Sequence, residues 1–301
     1  HATGTCGTVG AAMAIAAALH FDFDQMKSAF SAAVTSAAGV LEMQEDNADL
    51  KPLNVGRAAM DAVSAAYLGK ARFKAPNDAL GGNRGFLKVM TDDAKPSFLT
   101  DFESGSFCIT SIYNKPYASC RHTHPAIEAA MKIRADKNFK VENVDSVVVE
   151  TYKLAVGGHD HSEITGVCSA KMSMPYCVAV TLITGKAGLE EFSEKWVLDK
   201  EVQALARKVR VVENEELSAL CPAKRASIVD VCVGNAKFTE RVDYPKGEPE
   251  NPLTEDELRQ KFLGLLRYAG AEDKTGNDVW NLVCKVDLNL NDLLDCLRKA
   301  P

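Results

Sequence analysis

What the sequence lacks narrows its function before any motif does. No apolar run approaches the roughly 20 residues that a membrane-spanning helix needs. No basic segment followed by an apolar one opens the chain as a secretion signal would. A membrane partner is therefore not expected. Positive charge is in deficit: 35 Lys and Arg stand against 41 Asp and Glu, a net charge of −6 that disfavours a nucleic-acid surface. The nine cysteines are odd in number, without CxxC pairs or a repeated spacing. That pattern predicts reduced thiols and a cytoplasmic or mitochondrial location rather than a disulfide framework. No internal repeat or low-complexity tract is present. What remains is a chain of 301 residues with ordinary hydrophobic content (46%), enough for one large domain or two.

Read in order, the chain is helical, then mixed, then helical again. His1–Gly10 (HATGTCGTVG) reads as a Gly/Thr-rich loop, and no Gly-Lys-Ser/Thr follows to make it a P-loop. Ala11–Leu19 and Gln25–Val40 read as Ala-rich helices, and Glu42–Leu50 as an acidic loop. From Val55, small and apolar residues recur with helical spacing through Tyr67, which predicts a helix suited to close packing. Asp78–Gly85 is turn-rich. Val147–Val149 reads as a buried strand, Gly157–His161 as a loop and Ala170–Ile183 as one helix with Pro175 near its start. Asp199–Lys208 reads as a short polar helix. Ser227–Val233 and Lys237–Val242 pair as a hairpin around Gly234-Asn235. Tyr244–Pro252 reads as a proline-punctuated linker, Thr254 and Glu257 as a capping box, and Leu288–Leu297 as a final helix. This order predicts a mainly α fold with an inserted α+β lid: helical residues 1–113, lid 114–246 and a helical return over 247–301.

The stretch Lys115–Ala130 (KPYASCRHTHPAIEAA) concentrates a lysine, an arginine, two histidines and a cysteine just before a helix start at Pro125. Such groups are costly to bury without a reason, and a helix N-terminus attracts anions. Lys115, Arg121 and His122 together make a candidate receptor for a carboxylate. The competing reading is a solvated loop. Lys51, at another helix entrance, taken alone reads as a solvent-facing charge.

Five segments carry a family resemblance in consistent order: HATGTCGTVGAA, LKPLNVGRAA, KPYASCRHTHPAIEAA, SAKMSMPYCVAVTLITG and PKGEPENPLTEDEL. Through them the chain resembles the MmgE/PrpD family, which includes 2-methylcitrate dehydratase, cis-aconitate decarboxylase and iminodisuccinate epimerase. The resemblance implies a helical domain with a smaller lid, an active site between them, a homodimer, and no metal or organic cofactor. It places His1 on the histidine of the H-x-T-G loop, Lys51 on the lysine of K-P-L and Lys115 on the lysine of K-P-Y, all associated with the active site. Thr3, Arg121, His122 and Lys171 join them as candidate substrate-binding residues. Two departures stand out. Asn54 occupies a position often held by histidine, and the lid-strand tyrosine of decarboxylase-like members has no clear match near Tyr152–Val156. The chain starts at His1 rather than Met, about one third into a full member, which predicts a processed enzyme or a companion chain.

The implied chemistry is cofactor-independent. A small polycarboxylate loses an α-proton or CO₂, and fixed cations stabilise the resulting enolate-like charge. Lys51 and Lys115 suit that role, Arg121 and His122 suit carboxylate anchoring, and His1 suits general acid–base work. A 2-methylcitrate dehydratase-like lyase is the leading expectation, with decarboxylation or epimerisation as alternatives. Two rival readings are a zinc site from Cys120, His122, His124, His159 and His161, and a non-catalytic partner subunit.

Overall fold

Alanine, rather than large apolar residues, builds the first part of the chain. The computed structural model describes residues 1–40, 50–99, 107–285 and 287–298, save the side chains of Lys51 and Phe98. The acidic run Glu42–Leu50 lies outside them except for its last residue. The chain divides into two compact units, His1–Ser106 and Phe107–Pro301.

In the first unit α1 (Thr8–Ala18), α2 (Phe23–Ser36) and α3 (Lys51–Lys70) pack pairwise on one another. Ala12, Ala16, Ala29, Ala33 and Ala62 are fully buried, so the helices meet through small side chains. A Cβ on Gly69 would stand 2.6 Å from the Ala29 Cβ, which shows how closely α3 approaches α2. Asp22 and Gln25 form a capping box that starts α2. The opening segment departs from the expected loop. Thr3–Gly7 forms a wide helical turn that runs directly into α1, and the Thr8 hydroxyl bonds back to the Gly4 carbonyl at 2.9 Å. α4 (Phe86–Met90) follows the turn-rich segment.

The second unit is mixed. It contains α5 (His124–Arg134), β1 (Val144–Thr151), α6 (Lys153–Val156), α7 (Val167–Met172), α8 (Met174–Thr184), α9 (Glu194–Val197), α10 (Lys200–Ala206), β2 (Val209–Glu213), α11 (Glu215–Leu220), β3 (Ser227–Val233) and β4 (Ala236–Val242). Helices α12 (Glu255–Tyr268), α13 (Asp273–Val283) and α14 (Leu290–Leu297) close it. The sheet order is β2-β1-β3-β4, with β2 parallel to β1 and the other pairs antiparallel. Helices α5 and α8 pack together and against the strands. Ile127, Val147, Val149, Val178, Leu182, Val229 and Val231 form the core between them. At about 25 cal/mol per Å² of apolar surface removed from water, each such side chain contributes roughly 1.5–3 kcal/mol. The described chain is thus mainly helical with one small mixed sheet, and among the described residues no helix is long and apolar enough to cross a membrane.

Two further expectations change. The single helix predicted over Ala170–Ile183 is two helices, because Ser173 is extended between them. Its hydroxyl accepts from the Tyr176 N–H and donates to the His161 carbonyl at 2.5 Å. The segment 244–252, expected as a rigid linker, is bonded into its own unit. The Asn114 N–H donates to the Gly247 carbonyl at 2.8 Å, and the Lys246 N–H donates to the Glu128 carboxylate at 2.6 Å. Gly247 has φ +92°, and a Cβ there would fall 1.8 Å from the Asn114 oxygen, so only glycine fits.

Candidate active site

The candidate residues fall in both units. In the first, the His1 main-chain nitrogen donates to the Gly39 carbonyl at 2.9 Å. This holds His1 beside the first turn of α3, where its Nδ1 lies 3.3 Å from the Asn54 amide nitrogen. An amide N–H₂ can only donate, so Nδ1 accepts and a neutral ring keeps its proton on Nε2. Asn54, a departure from the family pattern, therefore fixes the tautomer of the neutral ring, with its N–H at Nε2. Lys51 begins α3 one turn earlier, which places its backbone on the same helix entrance; its side chain lies outside the description. Thr3 is exposed at the start of the wide turn.

In the second unit the stretch Lys115–His124 sends its side chains to different partners. Lys115 is exposed, and its Nζ donates to the Ser119 carbonyl at 3.0 Å. The loop is locked from within: the Ser119 and Thr123 hydroxyls are 2.8 Å apart, and Thr123 donates to the Cys120 carbonyl. Arg121 is buried. Its Nε and Nη2 engage Glu248, its guanidinium lies over the Tyr113 ring at 5.4 Å, and its Nη1 has no hydrogen-bond partner among the described residues. Arg121 also lines a cavity of about 250 Å³ together with Tyr113, Arg225, Asp243, Tyr244 and Glu248. Two of its donors are thus committed to a carboxylate of its own chain. Anchoring of a substrate carboxylate by Arg121 rests on Nη1.

His122 turns the other way. Its Nδ1 is 2.5 Å from the hydroxyl of Tyr152, a buried residue at the end of β1. Burial pushes the Tyr152 phenol well above its ordinary range, with Arg121 and Arg225 opposing, so the phenol stays protonated and donates to Nδ1. The His122 ring meets His159 edge-on, 5.0 Å between centroids. Lys171, in α7, reaches this cluster through its carbonyl, which accepts from the Cys120 N–H at 2.8 Å.

His124 is 1% exposed and packs edge-on against Tyr117 at 5.1 Å. Burial, then the charges of Arg121 and Lys115, hold its imidazole down to about 3. It is a neutral structural residue under α5. His161 is likewise engaged, its Nε2 lying 3.2 Å from both the carbonyl and the hydroxyl of Ser169. The five residues weighed for zinc therefore do not meet: Cys120, His122 and His159 are neighbours, while His124 and His161 are held elsewhere. Among the described residues no group of three or more His, Cys, Asp or Glu side chains is placed to hold a metal.

Sequence reasoning passed over Glu248 and the bond between Tyr152 and His122, and it grouped Cys120 with His159, 39 positions away and here 3.2 Å apart, only as candidate zinc ligands.

Comparison with known proteins agrees with these motifs. Residues 1–99 match the MmgE/PrpD N-terminal domain and residues 117–287 the MmgE/PrpD C-terminal domain. The chain is 24% identical over 310 residues to the cis-aconitate decarboxylase of Homo sapiens, covering 98% of this chain and 61% of that protein. It is 26% identical over 328 residues to the cis-aconitate decarboxylase of Aspergillus terreus, covering 100% and 66%. Against the Mus musculus enzyme of that name the identity is 22%, covering 98% and 60%. The chain thus spans somewhat less than two thirds of the length of these relatives. With both domain models matched in order along the chain, it belongs to the MmgE/PrpD family.

Proposed function

We propose that this chain carries the catalytic groups of a cofactor-independent lyase acting on a small polycarboxylate, with decarboxylation of a cis-aconitate-like tricarboxylate as the first reading. The observation that carries it is the presence of His1 and Lys51 within the residues matched by the family's N-terminal domain, and of Lys115 two positions before those matched by its C-terminal domain, in a family with similar members named cis-aconitate decarboxylases. The proposed architecture is a helical domain, residues 1–113 and 247–301, with residues 114–246 as a lid, working as a homodimer.

In this reading the C–C bond to the departing CO₂ breaks and its electron pair enters the π-system of the remaining unsaturated acid. Lys51 and Lys115 hold that developing charge, and one such preorganised donor is worth about 3–4 kcal/mol. His1, as an imidazolium, gives a proton to carbon and is left as the neutral ring. Thr3, His122, Lys171 and Nη1 of Arg121 position the other carboxylates. Loss of water from 2-methylcitrate is the second reading, because the same cations stabilise the carbanion left by α-proton removal while His1 protonates the departing hydroxyl. Purified protein is assayed for CO₂ release from cis-aconitate and for alkene formation from 2-methylcitrate. Turnover that falls about a hundredfold or more in Lys51→Ala and in Lys115→Ala supports the proposal. Turnover of neither substrate, or near-wild-type rates in both variants, removes it.

A further inference from the structure

The second unit contains a pair of side chains that the proposed lyase reaction does not use. Cys120 Sγ lies 3.2 Å from His159 Nε2. On the far side of the ring, His159 Nδ1 lies 2.8 Å from the Gly157 carbonyl. A carbonyl only accepts, so Nδ1 carries a proton and donates it there. In the neutral ring Nε2 is then a lone pair aimed at sulfur, and the thiol S–H donates to it. Moving that proton from sulfur to Nε2 produces a thiolate and an imidazolium, and every ring N–H still has an acceptor. One mobile proton is shared between two atoms, with a third group orienting the base.

Both partners are held in place. The Cys120 N–H is bonded to the Lys171 carbonyl at 2.8 Å. The His159 N–H donates to the Val156 carbonyl, and the His159 carbonyl accepts from the Met174 N–H at 2.7 Å. His159 is 7% exposed, while Cys120 is half-buried. Around the pair stand His122, bonded to the Tyr152 phenol, and Cys177 of α8, whose thiol feels the charge of Cys120. Cys177 supplies the contrast: it is fully buried, and burial pushes its thiol up to about 12. Two cysteines of one cluster therefore have opposite surroundings, one next to a base and one without.

We propose that Cys120 and His159 form a nucleophilic thiol–imidazole site that takes soft carbon electrophiles. In the step, the sulfur electron pair forms a C–S bond to the electrophilic carbon, the leaving group departs with its own pair, and the thiol proton rests on His159 Nε2. The site does not depend on the lyase reading, and its test needs no turnover.

Purified protein is treated with iodoacetamide at pH 6, and adducts at each cysteine are timed by peptide mass spectrometry. An ordinary thiol is almost wholly protonated at that pH. Cys120 is expected to react roughly tenfold faster than the exposed Cys6 and Cys284, even allowing for the lower intrinsic nucleophilicity of a stabilised thiolate. His159→Gln, verified as folded by its melting curve, should remove that advantage, and Cys177 should stay unmodified. Labelling of Cys120 no faster than of Cys6 in the wild-type protein overturns the proposal without recourse to any variant. An advantage unchanged in folded His159→Gln overturns it as well.

Discussion

Glu248→Gln probes the contact that fastens the Lys115–His124 stretch to the segment before α12. The two partners are 127 positions apart, and their side chains are 7% and 17% exposed for Arg121 and Glu248. Two guanidinium nitrogens converge on the Glu248 carboxylate, and a third, Nη1, lacks a partner among the described residues. Glutamine keeps the shape and one acceptor oxygen but removes the charge. A guanidinium is then left in a place water barely reaches, and breaking one side of such a pair costs about 3–5 kcal/mol. At about 2–4 °C per kcal/mol for a unit of this size, the melting temperature should fall by roughly 6–20 °C. The loss should persist in 0.5 M salt, since screening acts little on a buried pair. Replacing both partners, Arg121→Met with Glu248→Leu, should recover most of it, because an apolar pair leaves no charge unsatisfied. Calorimetry on the three proteins decides the matter. If Glu248→Gln melts within 2 °C of the parent, the pair does not hold the two segments together and the reasoning fails.

Other expectations follow the same lines. Gly247→Ala combines a left-handed φ with a collision against the Asn114 carbonyl, and should cost at least about 2 kcal/mol in urea unfolding. His124 stays neutral in the folded protein down to about pH 3, whereas the unfolded chain takes up that proton near pH 6.5. Stability should therefore be intact above pH 6.5 and decline as pH falls from there towards 3, by up to about 1.4 kcal/mol per pH unit. His124→Leu should show a shallower decline in melting temperature over that window. Asn54→Leu removes the donor to His1 Nδ1 and should lower turnover more than it raises KM, as steady-state kinetics would show.

Local signals carried much of the fold. Thr254 and Glu257 announce α12, the Gly234-Asn235 turn announces the β3–β4 hairpin, and alanine spacing announces α3. What stayed hidden depends on distant partners. The short segment Val209–Glu213 becomes a strand only because it lies parallel to β1, and nothing within five residues says so. Gly276 and Asn277 blur the helical pattern of α13. The helix break at Ser173 was half visible in Pro175, but the hydroxyl bond to His161 that accompanies it was not. The same division runs through the candidate site. KPYASCRHTHP marks itself by composition, yet Glu248, Tyr152 and His159 reach it from 127, 30 and 39 positions away. A count of charges in one stretch cannot reveal which of them are already spoken for.

The arrangement of the sheet bears on the order in which the second unit assembles. Strand β1 finds no neighbour near it in the chain: Val149 pairs with Val211 on one side and with Val229 on the other. On the ribosome β1 must wait until some eighty further residues have emerged before its second ladder can close, and loops of that length form slowly and at an entropic cost. The three alanine-rich helices of the first unit need no such wait. Nascent chains should therefore pass through a period in which an apolar strand rich in valine is made but unmatched, and that is when a chaperone would matter most.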